Sequence, residues 1–432
     1  MVENVIVVGA GMAGIAAART LVDQGFQVTV LEARQRTGGR IWTDRSLNVP
    51  LDLGASWIHG HLRNPMTTLA RKFSVDRSVT DYDSLTLFNS DGSILSNEMS
   101  ELIERLTAET IDQLLSAKSS AAKTTSIAES FERFIATADL RKIHRLGVEW
   151  GMAWEIELEQ AENMEALSLS GYDEDDAFQG DDVLFPGGYG QLIDGLAKSL
   201  DIHFEQIVEK ISYGTDRVTV TSNGTNHTAH RVVVTLPLGV LKGGAVGFFP
   251  ELPDAKLQAI KRLEMGILNK IAMRFPDCFW PESTHFFGML GDSHRDVMNI
   301  VNMTPHVEQP ILVALTYGEY ARTLEMVTDF EMVSTVLKDL RTIFGSGVPD
   351  PTAVAITRWN SDPFALGSYS HIPPGASPED YDIIEEPVAQ RLFFAGEASC
   401  RRYPGTVHGA YLSGQQQAKK IAIIAGLTDM TD

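Results

Sequence analysis

Three glycines set as Gly9-x-Gly11-x-x-Gly14 stand between an apolar run, Val5 to Val8, and an Ala-rich stretch that reaches about Gln24. This spacing suits a pyrophosphate: Gly9 makes the turn, Gly11 lets the backbone approach the phosphates, and Gly14 permits close packing of helix on strand. The start of the helix, at Met12 and Ala13, adds unpaired amides and the positive end of the helix dipole. Glu32 closes the next apolar run, Val28 to Leu31, where it is placed to accept hydrogen bonds from a ribose diol. The glycine pattern serves NAD and FAD alike. The segment from Glu32-Ala33-Arg34 to Gly38-Gly39-Arg40 favours FAD, because paired glycines let the chain pass the pyrophosphate and Arg40 can neutralise it.

A second group of reactive side chains lies elsewhere. Lys270 sits in an apolar run, Ile267 to Phe275, where alternation puts Leu268, Lys270 and Ala272 on one face. A buried lysine without a partner is costly, so it either pairs with a core carboxylate or serves the chemistry. Acidic residues gather at Asp173-Glu174-Asp175-Asp176 and Asp181-Asp182, with Glu155, Glu157 and Glu159 nearby. Their first reading is a solvated loop; their functional reading is a rim that attracts polycations through a focused field. Cys278 and Cys400 have neither metal-ligand nor Cys-x-x-Cys spacing, so no metal site is expected and a reduced compartment fits.

These side chains need a scaffold. The opening reads as strand, turn, helix and strand, a βαβ unit. Helical spacing then runs from about Met99 to Lys118, in Leu102, Ile103, Leu106, Ile111 and Leu114. A Ser/Ala/Thr-rich connector follows around 117–127, with further helices to about Leu158. The α/β pattern resumes at Phe185, punctuated by Pro186-Gly187-Gly188, with a helix through Leu192 to Leu200 and β-rich runs at Val218–Val220 and Val232–Val234. A second excursion starts near Gly266 and includes a helix around Met332 to Phe344. Leu392 to Glu397 reads as a buried strand entering a glycine turn, and Val407 to Ile424 as the closing helix. The expected class is therefore α/β: a discontinuous Rossmann-like FAD-binding domain from 1–75, 186–262 and 386–432, and an α+β substrate-binding domain from 76–185 and 263–385.

Bulk properties narrow the partners. At 432 residues the chain suits two domains. Its 36 Lys and Arg against 57 Asp and Glu give a formal charge of −21, which repels phosphate backbones and argues against nucleic acid. The same charge favours cationic ligands, and it also serves solubility. No run approaches ~18 uninterrupted apolar residues, and the N-terminus enters a strand without a basic leader. A cytoplasmic protein, monomer or homodimer, without membrane association, is expected.

Further landmarks extend along the chain: Gly54-Ala55-Ser56-Trp57-Ile58-His59-Gly60, Asn269-Lys270, Trp359 with Asp362-Pro363, Gly367-Ser368-Tyr369-Ser370, Gly396-Glu397, and Gly405-Thr406-Val407-His408-Gly409-Ala410-Tyr411-Leu412-Ser413-Gly414. With Gly9 to Gly14 and Gly38 to Arg40 they follow the order of the flavin-containing amine oxidase family, which the chain resembles over nearly its whole length. The motifs are most similar to those of polyamine oxidases. The resemblance implies the two-domain architecture shared with GDP-dissociation inhibitors, FAD as cofactor, a cationic amine as substrate and oxygen as acceptor. It also implies that Glu397 contacts the ribityl or ribose region of FAD, and that Val208 meets the adenine through its backbone. The glycine-rich turn at Gly405 aims amides near Thr406 and Val407 at the flavin pyrimidine oxygen, where charge develops on reduction.

At the reacting end the resemblance makes Lys270 the holder of a water at flavin N5 and an aid to reoxidation. Tyr369 becomes one wall of a cage around the amine, with Thr406 in place of the opposite tyrosine, so the site is wide. Trp57 and Trp359 pack around the isoalloxazine, and His59 binds or positions the amine. Monoamine oxidases attach FAD through a cysteine where Ser368 stands here, and a serine forms no thioether, so the flavin is expected to be non-covalent. Three rivals follow: an L-amino-acid oxidase, disfavoured because no arginine stands in an assignable carboxylate-binding motif; a flavin-free binding protein; and a methyl-lysine demethylase, ranked low for lack of room for a long helical insertion.

Overall fold

A computed structural model describes residues 3–138, 140–291 and 298–426. Its central element is a five-stranded sheet in the order Leu392–Phe394, Arg231–Val234, Asn4–Val8, Gln27–Leu31, Asp201–His203, with every neighbouring pair parallel. The continuous apolar runs follow from burial of both faces. Val5 and Val7 enter one core, against the opening helix Met12–Asp23 and the closing helix Val407–Ile424. Ile6 and Val8 enter another, on the opposite face, with Val208, Ile211, Val220 and Ile260. The run at Val218 belongs to a separate four-stranded sheet, built from Val208–Tyr213, Val218–Ser222, Thr225–Ala229 and Gly247–Phe249.

A six-stranded, mostly antiparallel sheet carries the second excursion. Its order is Ala353–Ile356, Leu268–Arg274, Ile311–Tyr317, Met298–Asn302, Phe286–Met289, Leu85–Phe88. The alternation expected around Lys270 is present. Ile271 and Met273 pack under the helix Asp329–Phe344, while Leu268 and Ala272 join a cluster on the other face. That helix begins three residues before the expected Met332 because Thr328 and Glu331 form a capping box.

The helical block contains Asn97–Lys118, Ile127–Thr137 and Lys142–Met152. In the first of these the buried face is Ile103, Thr107, Thr110 and Leu114. Leu102, Leu106 and Ile111 are only half-buried, so two threonines replace the expected leucines and isoleucine as the inward stripe. The Ser/Ala/Thr connector ends in Ser126, whose hydroxyl caps the helix Ile127–Thr137 by accepting from Glu129. A π-helical turn, Ala153–Glu157, follows the third helix and brings Trp154, Glu155 and then Glu159 towards the space between the two large sheets. Among the described residues, no helix is long and apolar enough to cross a membrane.

Candidate functional site

One cavity of about 1020 Å³ runs between the sheets. It lies at the upper limit of single-ligand sites, which span ~300–1000 Å³, as a cofactor and a substrate placed end to end require. Gly9, Gly11, Met12, Ala13, Glu32, Ala33, Arg34, Gly39, Arg40, Gly54, Ala55, Ser56, Trp57, Val208, Gly396, Glu397, Gly405, Thr406 and Val407 all line it. Lys270, Tyr369, His59 and Trp359 do too. Gly14 alone among the residues expected at the cofactor or the reacting end does not. A Cβ there would lie 1.9 Å from the Gly9 oxygen, so this glycine sets the approach of helix to strand.

At the nucleotide end the opening helix has no side-chain cap and no acidic residue in its first turn. Its first amides and dipole are left to the cavity, the donor set that a pyrophosphate needs. Glu32 accepts from the backbone of Ala10 at 2.6 Å and of Arg34 at 2.8 Å. A carboxylate has about four acceptor sites, so two remain for a diol. Two expectations are modified. Arg40 spends part of its charge on Glu397, at 2.7 Å, and donates to the Ser368 carbonyl at 2.9 Å. Glu397, buried, also accepts from the Ser370 hydroxyl at 2.6 Å and the Gly405 amide at 3.1 Å. The carboxylate thereby ties the strand of Tyr369 to the turn before the closing helix.

At the other end Lys270 is buried, and its Nζ donates to the carbonyls of Asp52 at 2.9 Å and Gly54 at 2.7 Å and to the Ser56 hydroxyl. Burial lowers its pKa, which the nearby Asp52 carboxylate opposes. The Asp52 carboxyl is itself pushed up by burial, against hydrogen bonds from Thr43 and the Tyr189 amide. The ammonium is thus satisfied by carbonyl and hydroxyl oxygens and forms no direct ion pair among the described residues, between the two alternatives for a buried lysine. It also lies 5.5 Å from the centre of the Trp57 ring.

Tyr369 is tied down by donating to the Leu158 carbonyl at 3.1 Å. Thr406 caps the closing helix: its hydroxyl accepts from Gly409 at 2.9 Å and donates to Tyr403 at 2.9 Å. Trp359 is buried edge-on to Trp42. Ser368 is held by the backbone of Leu268, with contacts of 2.8 Å and 3.0 Å. Neither Cys278 nor Cys400 lines the cavity.

Asp173, Glu174, Asp175 and Asp176 are exposed, as in a solvated loop, and they also border the cavity. Glu155, Glu159, Asp173, Glu174, Asp175, Asp176 and Asp182 all line the cavity, although Glu157 and Asp181 do not. Enclosure pushes Glu159 up to about 7, with His59 opposing and Asp175, Glu155 and Asp173 adding to the rise. His59 bonds Asp182 at 2.7 Å. Its side chain is open to the cavity; desolvation there lowers its pKa, and the hydrogen bond and charge of Asp182 outweigh that and raise it. Tyr82 donates to the same Asp182 oxygen at 3.0 Å. Asp52, Tyr82 and Trp154 carry no motif, so nothing in the sequence marked them.

A family model of flavin-containing amine oxidoreductases matches residues 12–422. The chain belongs to that family. The family is flavin-containing, and the uncapped helix, Glu32 and the glycine cradle fit FAD. The chain is 40% identical over 442 residues to Lysine-specific histone demethylase 1 homolog 3 of Oryza sativa subsp. japonica, covering 98% of this chain and 54% of that one. It is 38% identical over 443 residues to Protein FLOWERING LOCUS D of Arabidopsis thaliana, covering 97% and 55%. The chain therefore spans just over half the length of these plant relatives. In three dimensions it matches cyclohexylamine oxidase from Brevibacterium oxydans IH-35A with a TM-score of 0.79, over 99% of this chain and 100% of that one, at 21% identity. That likeness establishes the two-domain flavin oxidoreductase fold.

Proposed function

We propose that the protein oxidises a carbon beside an amine nitrogen within a polycationic chain, with spermine, spermidine or acetylated forms as the substrate class and oxygen as acceptor. The acidic wall carries this reading: Glu159, Asp173, Asp175 and Asp182 share one cavity with Lys270 and Tyr369. Bound FAD supplies the acceptor for the hydride leaving that carbon. Tyr369, held by Leu158, gives a fixed face against which the amine lies; Thr406, committed to its cap, leaves the opposite side open. His59 on Asp182 positions the nitrogen. The reacting nitrogen must be neutral while distal ammonium groups stay charged on the acidic wall, so activity rises towards alkaline pH. Water then hydrolyses the imine to a carbonyl compound and an amine. Ser368 in its backbone clasp, with both cysteines outside the cavity, supports a non-covalent flavin. The domain division at 75, 185, 262 and 385 is proposed with this reading.

A second reading is favoured by the relatives named lysine-specific histone demethylases, 40% identical over 98% of the chain. An N-methyl-lysine offers the same carbon–nitrogen bond, and a basic peptide would meet the same acidic wall. Chain length, which ranks this reading low, says nothing about a region that aligns so fully. Anaerobic mixing with spermine, spermidine, N-acetylated polyamines, putrescine, monoamines, amino acids and a methyl-lysine peptide separates the two by which compound bleaches the flavin. Bleaching only by the peptide moves the assignment to the second reading, and bleaching only by amino acids removes both.

A further inference from the structure

Lys270 is approached by cavities from two sides. One is the large cavity already described. The other starts at the surface as a recess of about 560 Å³ lined by residues including Asn48, Pro50, Arg274 and Val307, and continues inward as a small cavity of about 20 Å³. The recess and the small cavity share Pro50, Pro186, His306 and Val307. The small cavity and the large one share Ser56, Trp57, Lys270 and Leu315. We propose that this series of spaces is a route by which dioxygen reaches the Lys270 side of the flavin without passing through the amine-binding region.

The lining decides what the inner space prefers. Leu51, Leu184, Phe185, Val301 and Val313 form most of its wall. Its polar end is already satisfied: Lys270 Nζ donates to Asp52, Gly54 and Ser56, and the Asp52 carboxylate accepts from Thr43 and Tyr189. A buried water needs two to four polar partners and roughly 10–15 Å³ of such space; here the room is sufficient, but among the described lining residues His306 Nε2 is the one buried side-chain nitrogen or oxygen without a partner. A neutral diatomic molecule needs no partners. The acidic wall of the large cavity draws in cations and gives dioxygen no attraction, and a bound polycation would fill that way in. The second route ends instead beside a buried cation, which stabilises negative charge developing on oxygen. The two electrons and proton that left the amine carbon as hydride, joined by one further proton, leave with dioxygen as hydrogen peroxide.

The proposal rests on oxygen being the acceptor, and the experiment keeps the two apart. Val307→Trp places a bulky ring where the recess meets the inner cavity; Val307 is half-buried at the end of a short helix, and Val307→Phe repeats the test with a smaller perturbation. Crystals of the holoprotein under xenon are expected to show a xenon atom in the inner cavity, absent in the variant. Reduced variant mixed with oxygenated buffer is expected to reoxidise roughly tenfold more slowly, with anaerobic bleaching by amine unchanged. A reoxidation rate equal to wild type in both variants, or no xenon in the inner cavity of the wild type, overturns the route. Reduced wild type that fails to react with oxygen at all overturns the oxygen-acceptor reading and the route with it.

Discussion

Lys270 directs its ammonium at the backbone oxygen of Gly54, 2.7 Å away, in the segment that also contributes Ser56 and Trp57 to the cavity. One cation thus joins the six-stranded sheet to the chain that passes the nucleotide domain. Lys270→Met keeps much of the shape and removes the charge and three donors. Reaction of the reduced flavin with oxygen is expected to slow on the order of 10²-fold, the scale of losing one preorganised electrostatic contact. Anaerobic reduction by amine should change far less, and stopped-flow absorbance separates the two half-reactions. Unchanged oxygen reactivity would remove the assigned role.

Asp182 bonds His59 and favours its charged form, and desolvation opposes it. In Asp182→Asn only the opposing contribution and the more distant Glu159 remain. The titration of His59 is expected to move to lower pH, read from its ring resonances by NMR, and the limb of the pH profile for flavin reduction that follows this group should move the same way.

Glu159 faces His59 within the acidic wall. Glu159→Gln is expected to raise the concentration of spermine needed for half-maximal bleaching by roughly tenfold, the cost of about one charge-assisted contact. A monoamine, with no distal charge to place, should show little change. Equal effects on both would place Glu159 outside substrate recognition.

Glu157 is buried outside the cavity, where burial pushes its carboxyl up to about 7 from an ordinary 4.5, against the hydrogen bond from the Met164 amide. The native state therefore holds a proton that the unfolded chain releases, and stability from this group falls as pH rises from 4.5 to about 7. Glu157→Gln keeps an acceptor for Met164 and removes the ionisation. It is expected to stabilise the protein by on the order of 1–3 kcal/mol at pH above 7 and by little near pH 4. Thermal melts across that range give the comparison; a gain of the same size at every pH would mean that packing, not titration, is responsible.

Gly14 has no room for a side chain, because its Cβ would overlap the Gly9 oxygen. Gly14→Ala is expected to lower the melting temperature and to yield protein depleted in flavin, measured by the ratio of 450 nm to 280 nm absorbance. Protein with full flavin content and unchanged melting would contradict the tight packing of helix on strand.

The nucleotide half was legible because its signals are local. The spacing of Gly9, Gly11 and Gly14 dictates a turn and a helix start within six residues, and Val5 to Val8 are apolar on both faces because both are covered. The alternation around Lys270 was legible for the same reason, with a period of two placing it opposite Ile271 and Met273. The stripe of the helix Asn97–Lys118 was less so. Leucines and threonines both suit an inward position at helical spacing, and Thr107 lies close against Gly151 of the helix Lys142–Met152.

The reacting end shows where local reading stops. Arg40 and Glu397 each carried a plausible contact to the cofactor, and their pairing across 357 positions is set by how the first turn and the last strand meet. The run from Asp173 to Asp176 looks like any solvated loop and is exposed as one, and only the tertiary structure shows that it borders the same cavity as His59 and Tyr369. By itself the sequence determined the FAD cradle, the buried lysine and the residue types available for amine chemistry, since each depends on short spacings and backbone geometry. The tertiary structure decided which charges neutralise one another, which carboxylates line the cavity and which spaces reach Lys270, because those depend on the packing of two sheets whose strands lie hundreds of residues apart.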